Sequence, residues 1–92
     1  MTTIKGNRFL TVRAAAGEVY EIKYSTPPRL SVMNNTTGEV KISHSEEFAE
    51  DSTSGQYLTV SQNAAANDIA IPFDSAYIKA DAGGNIVIER CG

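Results

Sequence analysis

The sequence predicts an all-β domain, an antiparallel sandwich of two sheets made from seven or eight short strands. Apolar and polar residues alternate with a period of two, in short runs rich in Val, Ile, Thr and Tyr. Gly, Asn, Pro and Asp separate these runs, and no helical stretch is long enough to cross over between parallel strands. Together these observations are typical of a jelly roll or an immunoglobulin-like sandwich.

Four strands are predicted in the first half of the chain, at 9–13, 19–24, 29–33 and 40–42. In the second of them, Tyr20, Ile22 and Tyr24 share one face and are expected to point into the core. The pair Pro27-Pro28 ends that strand, because proline cannot donate a hydrogen bond to a sheet. Asn, Thr and Gly at 34–38 predict a turn that joins the third and fourth strands as a hairpin.

The middle of the chain, at 43–55, is polar and acidic. It predicts a long connection with room for one helical turn capped by Ser45. Four further strands are predicted after it, at 57–61, 68–73, 76–81 and 85–89. The run Ala82-Gly83-Gly84 predicts a tight hairpin between the last two strands.

The two halves of the chain correspond to each other in sequence. Phe-Leu-Thr-Val at 9–12 matches Tyr-Leu-Thr-Val at 57–60, and weaker matches recur at similar spacing. The weaker matches pair Ile22 with Ile71, Tyr24 with Phe73, Leu30 with Ile78, and Gly38, Val40 and Ile42 with Gly84, Ile86 and Ile88. A repeat of four plus four strands would produce this correspondence, and so would two unrelated runs of short strands; both origins stay open.

Length and composition limit the possible functions. The 92 residues are expected to form a single domain spanning 1–92, and the opening residues lack the apolar core of a signal peptide. A net charge of −3 offers little attraction for nucleic acid, and no apolar run approaches the ~20 residues that span a bilayer. We therefore expect neither a nucleic-acid partner nor a membrane partner.

The sequence indicates no catalytic constellation. His44 is the only histidine, and no Gly-x-Ser-x-Gly motif is present to position a nucleophilic serine near it. The carboxylates considered for glycoside chemistry are Asp74, Asp81, Glu46 and Glu47. On the turns of so small a domain such acids are ordinarily solvated, whereas glycosidases need a deep cleft. We expect a protein that is not an enzyme.

Metal and cofactor sites are weakly indicated. A single cysteine, Cys91, and a single histidine cannot supply the four ligands of a structural zinc site. Oxygen ligands of the kind that Ca²⁺ prefers are concentrated in one segment: Glu46, Glu47, Glu50, Asp51 and Ser52. Because the spacing of an EF-hand is absent, a solvated acidic loop is the favoured interpretation and no cofactor is expected.

Two tyrosines are candidates for an interface. Tyr57 and Tyr77 fall out of phase with the apolar residues of their strands and are expected on an outer face. Tyrosine is enriched at protein interfaces and also stacks on sugars, but this chain has no tryptophan to strengthen a carbohydrate platform.

Segments along nearly the whole chain resemble small β-sandwich proteins of tailed bacteriophages and prophages, the accessory virion components that decorate heads or form fibre and tail-tip modules. The segments are Leu30-Ser-Val-Met-Asn-Asn-Thr-Thr-Gly-Glu-Val-Lys-Ile-Ser, Tyr57-Leu-Thr-Val, Ile71-Pro-Phe, Tyr77-Ile-Lys-Ala and Gly83-Gly-Asn-Ile-Val-Ile. The resemblance implies homo-oligomers, often trimers, that bind other virion proteins or host surfaces. It includes no diagnostic motif, so it assigns no functional residue.

We therefore expect a non-enzymatic interaction module that acts through protein–protein contacts, with itself or with other virion proteins. The expected location is the virion, or the cytoplasm of the producing bacterium. The alternative function is a small module that binds carbohydrate or a ligand in a Ca²⁺-dependent way, through Tyr57, Tyr77 and the acidic segment.

Overall fold

The computed structural model describes residues 1–51 and 55–92, which form nine strands and one short helix. The elements are β1 (Thr2–Lys5), β2 (Phe9–Ala14), β3 (Val19–Lys23), β4 (Arg29–Thr36), β5 (Val40–Ser43), α1 (Glu46–Glu50), β6 (Tyr57–Val60), β7 (Ala65–Ala70), β8 (Ser75–Ala80) and β9 (Gly84–Arg90). The predicted all-β sandwich of two largely antiparallel sheets is confirmed, with one strand more than expected.

Sheet A has the strand order β1-β3-β8-β5-β6, and sheet B has the order β2-β9-β4-β7. Every pairing is antiparallel except that of β1 with β3, which is parallel. With β1 set aside, the other eight strands are divided between two four-stranded sheets in the order of a jelly roll. Of the two sandwich types that the sequence allows, the jelly roll is the one observed.

Alternation within the strands creates the core between the sheets. In β3, Tyr20 and Ile22 are buried, while Glu21 and Lys23 lie on the outer face. Every strand except β1 and β7 contributes to the buried cluster in this way. Its members are Val12, Ala14, Tyr20, Ile22, Tyr24, Leu30, Val32, Val40, Ile42, Val60, Ile71, Ala76, Ile78, Ala80, Ile86 and Ile88. Burial of each large aliphatic side chain contributes about 1.5–3 kcal/mol to folding.

The sequence does not predict β1. Ile4 is its only apolar side chain, so the alternation that marks the other strands is absent. In the structure Ile4 lies opposite Ile22 of β3 and packs, partly buried, against the core. A strand at the edge of a sheet needs only one such contact, because its remaining side chains face solvent.

The predicted hairpin between the third and fourth strands is wrong. β4 continues through Thr36 in sheet B, and β5 belongs to sheet A. Asn34 is completely buried, and its side-chain amide donates to the carbonyl oxygens of Gly38 and Val60 at 2.8 and 2.9 Å. Because these bonds satisfy the amide inside the protein, a segment with the composition of a turn forms a strand.

The predicted hairpin at Ala82-Gly83-Gly84 is also wrong, because β8 lies in sheet A and β9 in sheet B. Gly84 instead allows a close approach between β9 and β4. Its φ is +148°, and a Cβ there would lie 2.7 Å from the Cα of Thr36.

The strand predicted at 68–73 is observed earlier, as β7. A bulge around Asp68, which has a φ of +59°, interrupts the pairing of β7 with β4. Alternation is broken at this point, so the sequence pattern places the strand too late.

The connection at 43–55 contains the single helical turn that the sequence allows. Ser45 is the N-cap, and its hydroxyl accepts a hydrogen bond from the backbone N–H of Glu47 at 3.2 Å. Phe48 of α1 is fully buried. The part of this connection at 52–54, which includes Ser52, lies outside the described residues.

The jelly roll relates its two halves by exchanging the sheets: β2, β3, β4 and β5 correspond to β6, β7, β8 and β9. The strand register follows the same relation. Val40 pairs with Val60 in sheet A, and their counterparts Ile86 and Val12 pair in sheet B. Any jelly roll has this relation between strands, so both origins of the sequence correspondence stay open.

Three of the predicted matches shift when the registers are compared. The pairings of β4 with β9 and of β8 with β5 make Ala76, and not Ile78, the counterpart of Leu30. Ile22 of β3 pairs with Ala76 of β8. Leu30 of β4, the counterpart of Ala76, pairs with Ile69 of β7. The counterpart of Ile22 is therefore Ile69 and not Ile71.

The counterpart of Tyr24 is Ile71 instead of Phe73. The N–H of Tyr24 donates to the carbonyl of Asp74 at 2.7 Å, and the N–H of Ile71 donates to the carbonyl of Pro28 at 3.0 Å. These two hydrogen bonds occupy equivalent places in the two halves.

Candidate functional site

The outer face of sheet A is partly covered. α1 lies against β8, and Phe48 is buried there with its ring centroid 5.8 Å from that of Tyr57. Ser43 joins this cover to the sheet: its hydroxyl donates to the carbonyl of Gln56 and accepts from the N–H of Ser45. This face therefore already has a partner from its own chain.

Tyr57 and Tyr77 both project from the outer face of sheet A, on either side of Ser43. Tyr57 is 40% exposed, with the Nζ of Lys41 5.2 Å from its ring centroid, whereas Tyr77 is only 5% exposed. Burial, together with nearby carboxylates of which Glu21 is foremost, raises the pKa of Tyr77. Of the two residues, Tyr57 alone offers a partner substantial surface; the interface role of the pair stays a prediction.

An open cleft of about 760 Å³ lies between the start of α1 and strands β3 and β8. It collects several side chains considered above for catalysis or Ca²⁺: His44, Glu46, Glu47 and Asp74. The His44 ring lies 5.8 Å from that of Phe73, and its Nδ1 is buried without a hydrogen-bond partner. Across 1–51 and 55–92, no serine or carboxylate is bonded to this imidazole, so the geometry of a catalytic triad is not assembled there.

Of the four carboxylates considered for glycoside chemistry, Asp81 alone does not line this cleft. Asp74 and Asp81 stand at opposite ends of β8, about 20 Å apart at the rise of a strand, far beyond the separation that glycosidases use. In the described part of the chain no three His, Cys, Asp or Glu residues are placed to hold a metal ion. The proposed ligand Ser52 lies outside it.

One end of the sandwich is basic. Arg8, Arg90 and Tyr24 line a depression of about 410 Å³, and the Arg90 guanidinium lies 5.5 Å from the Tyr24 ring centroid. The Tyr24 hydroxyl is buried without a hydrogen-bond partner. Burial raises the pKa of Tyr24, against the opposing effect of Arg90. The hydroxyl is inaccessible to solvent, so the depression does not present it to a ligand.

The outer face of sheet B, by contrast, has no covering element among the described residues. Its central row consists of Thr11 on β2, Val87 on β9, Met33 on β4 and Ala65 on β7, which are neighbours in the strand register. Phe9 stands beside this row. Phe9 is 66% exposed and Met33 48% exposed. We call this surface, formed by these five residues, the B face.

A second apolar surface opens along one side of the sandwich, between the edge strands β6 and β7. We call it the side groove; its apolar lining is Ile42, Leu58, Ile69 and Ile71, and its volume is about 230 Å³. Leu58 faces inward in the register, opposite Ile42, and yet it is 52% exposed. Within residues 1–51 and 55–92, no segment closes the sandwich on this side.

Sequence reasoning did not identify either surface, although one signal for the first was present. Phe9 and Met33 fall out of phase with the apolar residues next to them, Leu10 and Val32, just as Tyr57 falls out of phase with Leu58. The same rule of alternation places all three on outer faces. The side groove has no such signal, because it depends on how the edges of two sheets meet.

Comparisons with known proteins gave no relatives: no family model, no curated protein and no solved structure matches this chain. Among the described residues, the helix is too short to cross a membrane.

Proposed function

We propose that this chain is a non-enzymatic interaction module that associates with a second copy of itself through the B face. The observation that carries the proposal is a four-stranded sheet on which the apolar side chains of Phe9 and Met33 are exposed, on the side of the protein that α1 does not cover. Exposed apolar patches on small soluble domains commonly mark interaction sites.

Charge complementarity supports a second copy as the occupant. Arg13 and Asn85 lie on one side of the central row, and Phe9 and Glu89 lie on the other. A two-fold axis along the row brings Arg13 of one copy one strand away from Glu89 of the other, beside Phe9, whose ring centroid already lies 5.8 Å from the Arg8 guanidinium of its own copy. Neither Arg13 nor Glu89 has an ion-pair partner within the described part of the chain. The same contact therefore pairs two opposite charges twice.

The size of the face sets the expected strength. A sheet four strands wide and six residues long measures roughly 19 by 20 Å, so two such faces bury roughly 760 Å². This area is below the ~1,200 Å² at which specific stable interfaces begin, so we expect a weak, transient dimer with a Kd in the micromolar range or above. Face-to-face contact of identical surfaces closes with two copies, so a dimer and not a trimer is proposed.

An accessory role in a virion is the biological setting we propose for this contact. Its support is the resemblance to small phage β-sandwich proteins, together with the jelly-roll order that also occurs in viral capsid proteins. In a virion, many copies held close together would make even weak contacts effective.

Sedimentation equilibrium over a wide range of concentrations tests the proposal. We expect a monomer–dimer equilibrium that Met33→Lys weakens at least tenfold, because an unpaired ammonium would be buried at the centre of the interface. Gln62→Lys, which adds the same charge at an exposed turn, should leave the equilibrium unchanged. A strict monomer at millimolar concentration, or equal effects of the two variants, would refute self-association through the B face.

A further inference from the structure

The side groove has a counterpart on the opposite side of the sandwich, and that counterpart is filled. Exchange of the two halves relates β6 to β2 and β7 to β3. It therefore relates the open side between β6 and β7 to the side between β2 and β3. On the latter side, β1 lies parallel to β3 as an additional strand.

β1 closes its side with few residues. Ile4 lies directly opposite Ile22, which is completely buried. The N–H of Gly6 donates to the carbonyl of Lys23 at 2.6 Å, and Gly6 lies so close to the ring of Tyr24 that a Cβ would meet ring atoms at 2.5 Å. The backbone of β1 thus covers the edge of sheet A, and one aliphatic side chain completes the core.

The equivalent positions on the other side lack this cover. Ile69, the counterpart of Ile22, is only partly buried, and Leu58, the counterpart of Leu10, is more exposed than Leu10. No described segment lies over them. The side groove is therefore the place where a strand equivalent to β1 would lie.

The two edges that border the groove are also poorly protected against pairing. β6 has the sequence Tyr-Leu-Thr-Val, with no charge and no proline, although edge strands normally carry such residues to prevent association. β7 carries one charge, Asp68, at its bulge, and its register with β4 is regular at Ile69 and Ala70. An extended segment can therefore pair with β7 beyond the bulge.

We infer that the side groove binds an extended strand of a partner protein, placed on β7 as β1 is placed on β3. The partner strand would run parallel to β7 and insert one aliphatic, β-branched side chain between Leu58 and Ile69, with polar residues on either side of it. This is strand addition to an open sheet edge, in which backbone hydrogen bonds supply affinity and a side-chain pocket supplies selectivity. The inference rests on the proposed function in one respect, that the chain acts by contact with proteins.

A partner strand is favoured over β1 of a second copy. If β1 of one molecule moved into the groove of another, it would leave its own edge on β3 open. Such an exchange fills one groove and empties an equivalent one, so it gains no net burial. A strand from a different protein fills the groove at no such cost.

Titration of the ¹⁵N-labelled protein with a synthetic peptide tests the inference. The peptide copies residues 1–7, the segment that fills the counterpart groove, and a second peptide carries Ile4→Asp. We expect the first to shift the amide signals of β6 and β7 with a Kd of about 1 mM, typical of a short flexible peptide that must be ordered on binding. The second peptide should bind at least tenfold more weakly.

Two variants of the protein make the test specific. Leu58→Glu places a charge in the groove and should weaken binding at least tenfold, while the protein stays folded because Leu58 is half exposed. Thr59→Glu, on the adjacent residue that faces outward, should leave binding unchanged. Absence of shifts at 5 mM peptide, or shifts confined to β3 where the peptide displaces β1, would overturn the inference.

The outcome is separable from that of the self-association experiment. The Met33→Lys variant, monomeric on the proposed function, should bind the peptide with unchanged affinity, because the B face and the side groove share no residue. Peptide binding without dimers would refute only the B-face contact. Dimers without peptide binding would refute only the groove.

Discussion

The two sides of the sandwich differ although the jelly roll relates them. On one side β1 pairs with β3, Ile4 completes the core and Ile22 is completely buried. On the other side Ile69 is only partly buried and Leu58 is half exposed. The eight strands of the jelly roll therefore do not close both sides by themselves, and β1 closes only one of the two.

The two outer faces show a similar difference. α1 covers part of sheet A and buries Phe48 and Tyr77, while Phe9 and Met33 remain exposed on sheet B. In each comparison, a segment of the chain itself covers one of the two surfaces. The other surface of each pair is where a partner would find apolar surface already in place.

The largest expected effect separates the two sides directly. Ile22→Ala should lower the free energy of unfolding by about 3–4 kcal/mol, since it leaves a cavity under β1. Ile69→Ala should cost only about 1 kcal/mol, because the side groove already exposes that side chain to water. Urea unfolding followed by far-UV circular dichroism measures both. Equal losses would mean that the side groove is closed in solution.

The next effect concerns a polar residue that breaks the relation between the halves. Asn34 of β4 is the counterpart of Ala80 of β8. Asn34 pairs with Ile86 and Ala80 pairs with Val40, and these two partners are themselves counterparts in the two halves. Its side chain donates to the Val60 carbonyl of the opposite sheet and accepts from the N–H of Thr36. It is thus a hydrogen-bonded link between sheets A and B.

Asn34→Ala should therefore lower the free energy of unfolding by about 2–3 kcal/mol, because buried backbone groups lose their partners. The neighbouring Asn35→Ala, on the exposed outer face, should change it by less than about 0.5 kcal/mol. The same urea titration measures both variants. A loss below 1 kcal/mol for Asn34→Ala would show that water replaces the amide.

The pattern of alternation was enough to predict most of the strands and the sandwich. In β3, β5 and β9, residues at alternate positions are buried as expected, because these strands lie inside a sheet with one face against the core. Composition, however, misled at Asn34 and Thr36. Residues typical of turns were buried there because the Asn34 amide donates to the Val60 carbonyl of the opposite sheet, while the Thr36 hydroxyl donates to the Asn34 side-chain oxygen on the same strand.

Pairing between strands was predicted less well than the strands themselves. Both predicted hairpins are replaced by connections between sheets, since neighbouring strands in a jelly roll usually lie in different sheets. β1 was missed because a single apolar residue, Ile4, gives no period. The side groove could not be predicted for the same reason, because it exists only where a strand like β1 is missing.

The smallest expected effect concerns the bulge that distinguishes β7 from β3. Asp68, at a φ of +59°, forms an exposed ion pair with Arg29, whose Nε lies 2.6 Å from the carboxylate. The hydrogen bond from Arg29, together with its positive charge, lowers the pKa of Asp68 below its ordinary value of 3.8. The ion pair therefore stabilises the fold fully at a pH above the ordinary pKa of 3.8, and this stabilisation is lost as the pH falls through the lowered pKa of Asp68.

Asp68→Asn removes the charge and keeps a residue that tolerates positive φ, so it isolates the ion pair from the backbone strain. We expect a decrease in Tm of about 1–3 °C at pH 7, as for other exposed pairs, and no difference from the unmodified chain at pH 2. Asp81→Asn, at a carboxylate without an ion-pair partner in the described part of the chain, is the matched control. A difference that persists at pH 2, or an equal decrease in the control, would mean that the bulge is held by its backbone and not by Arg29.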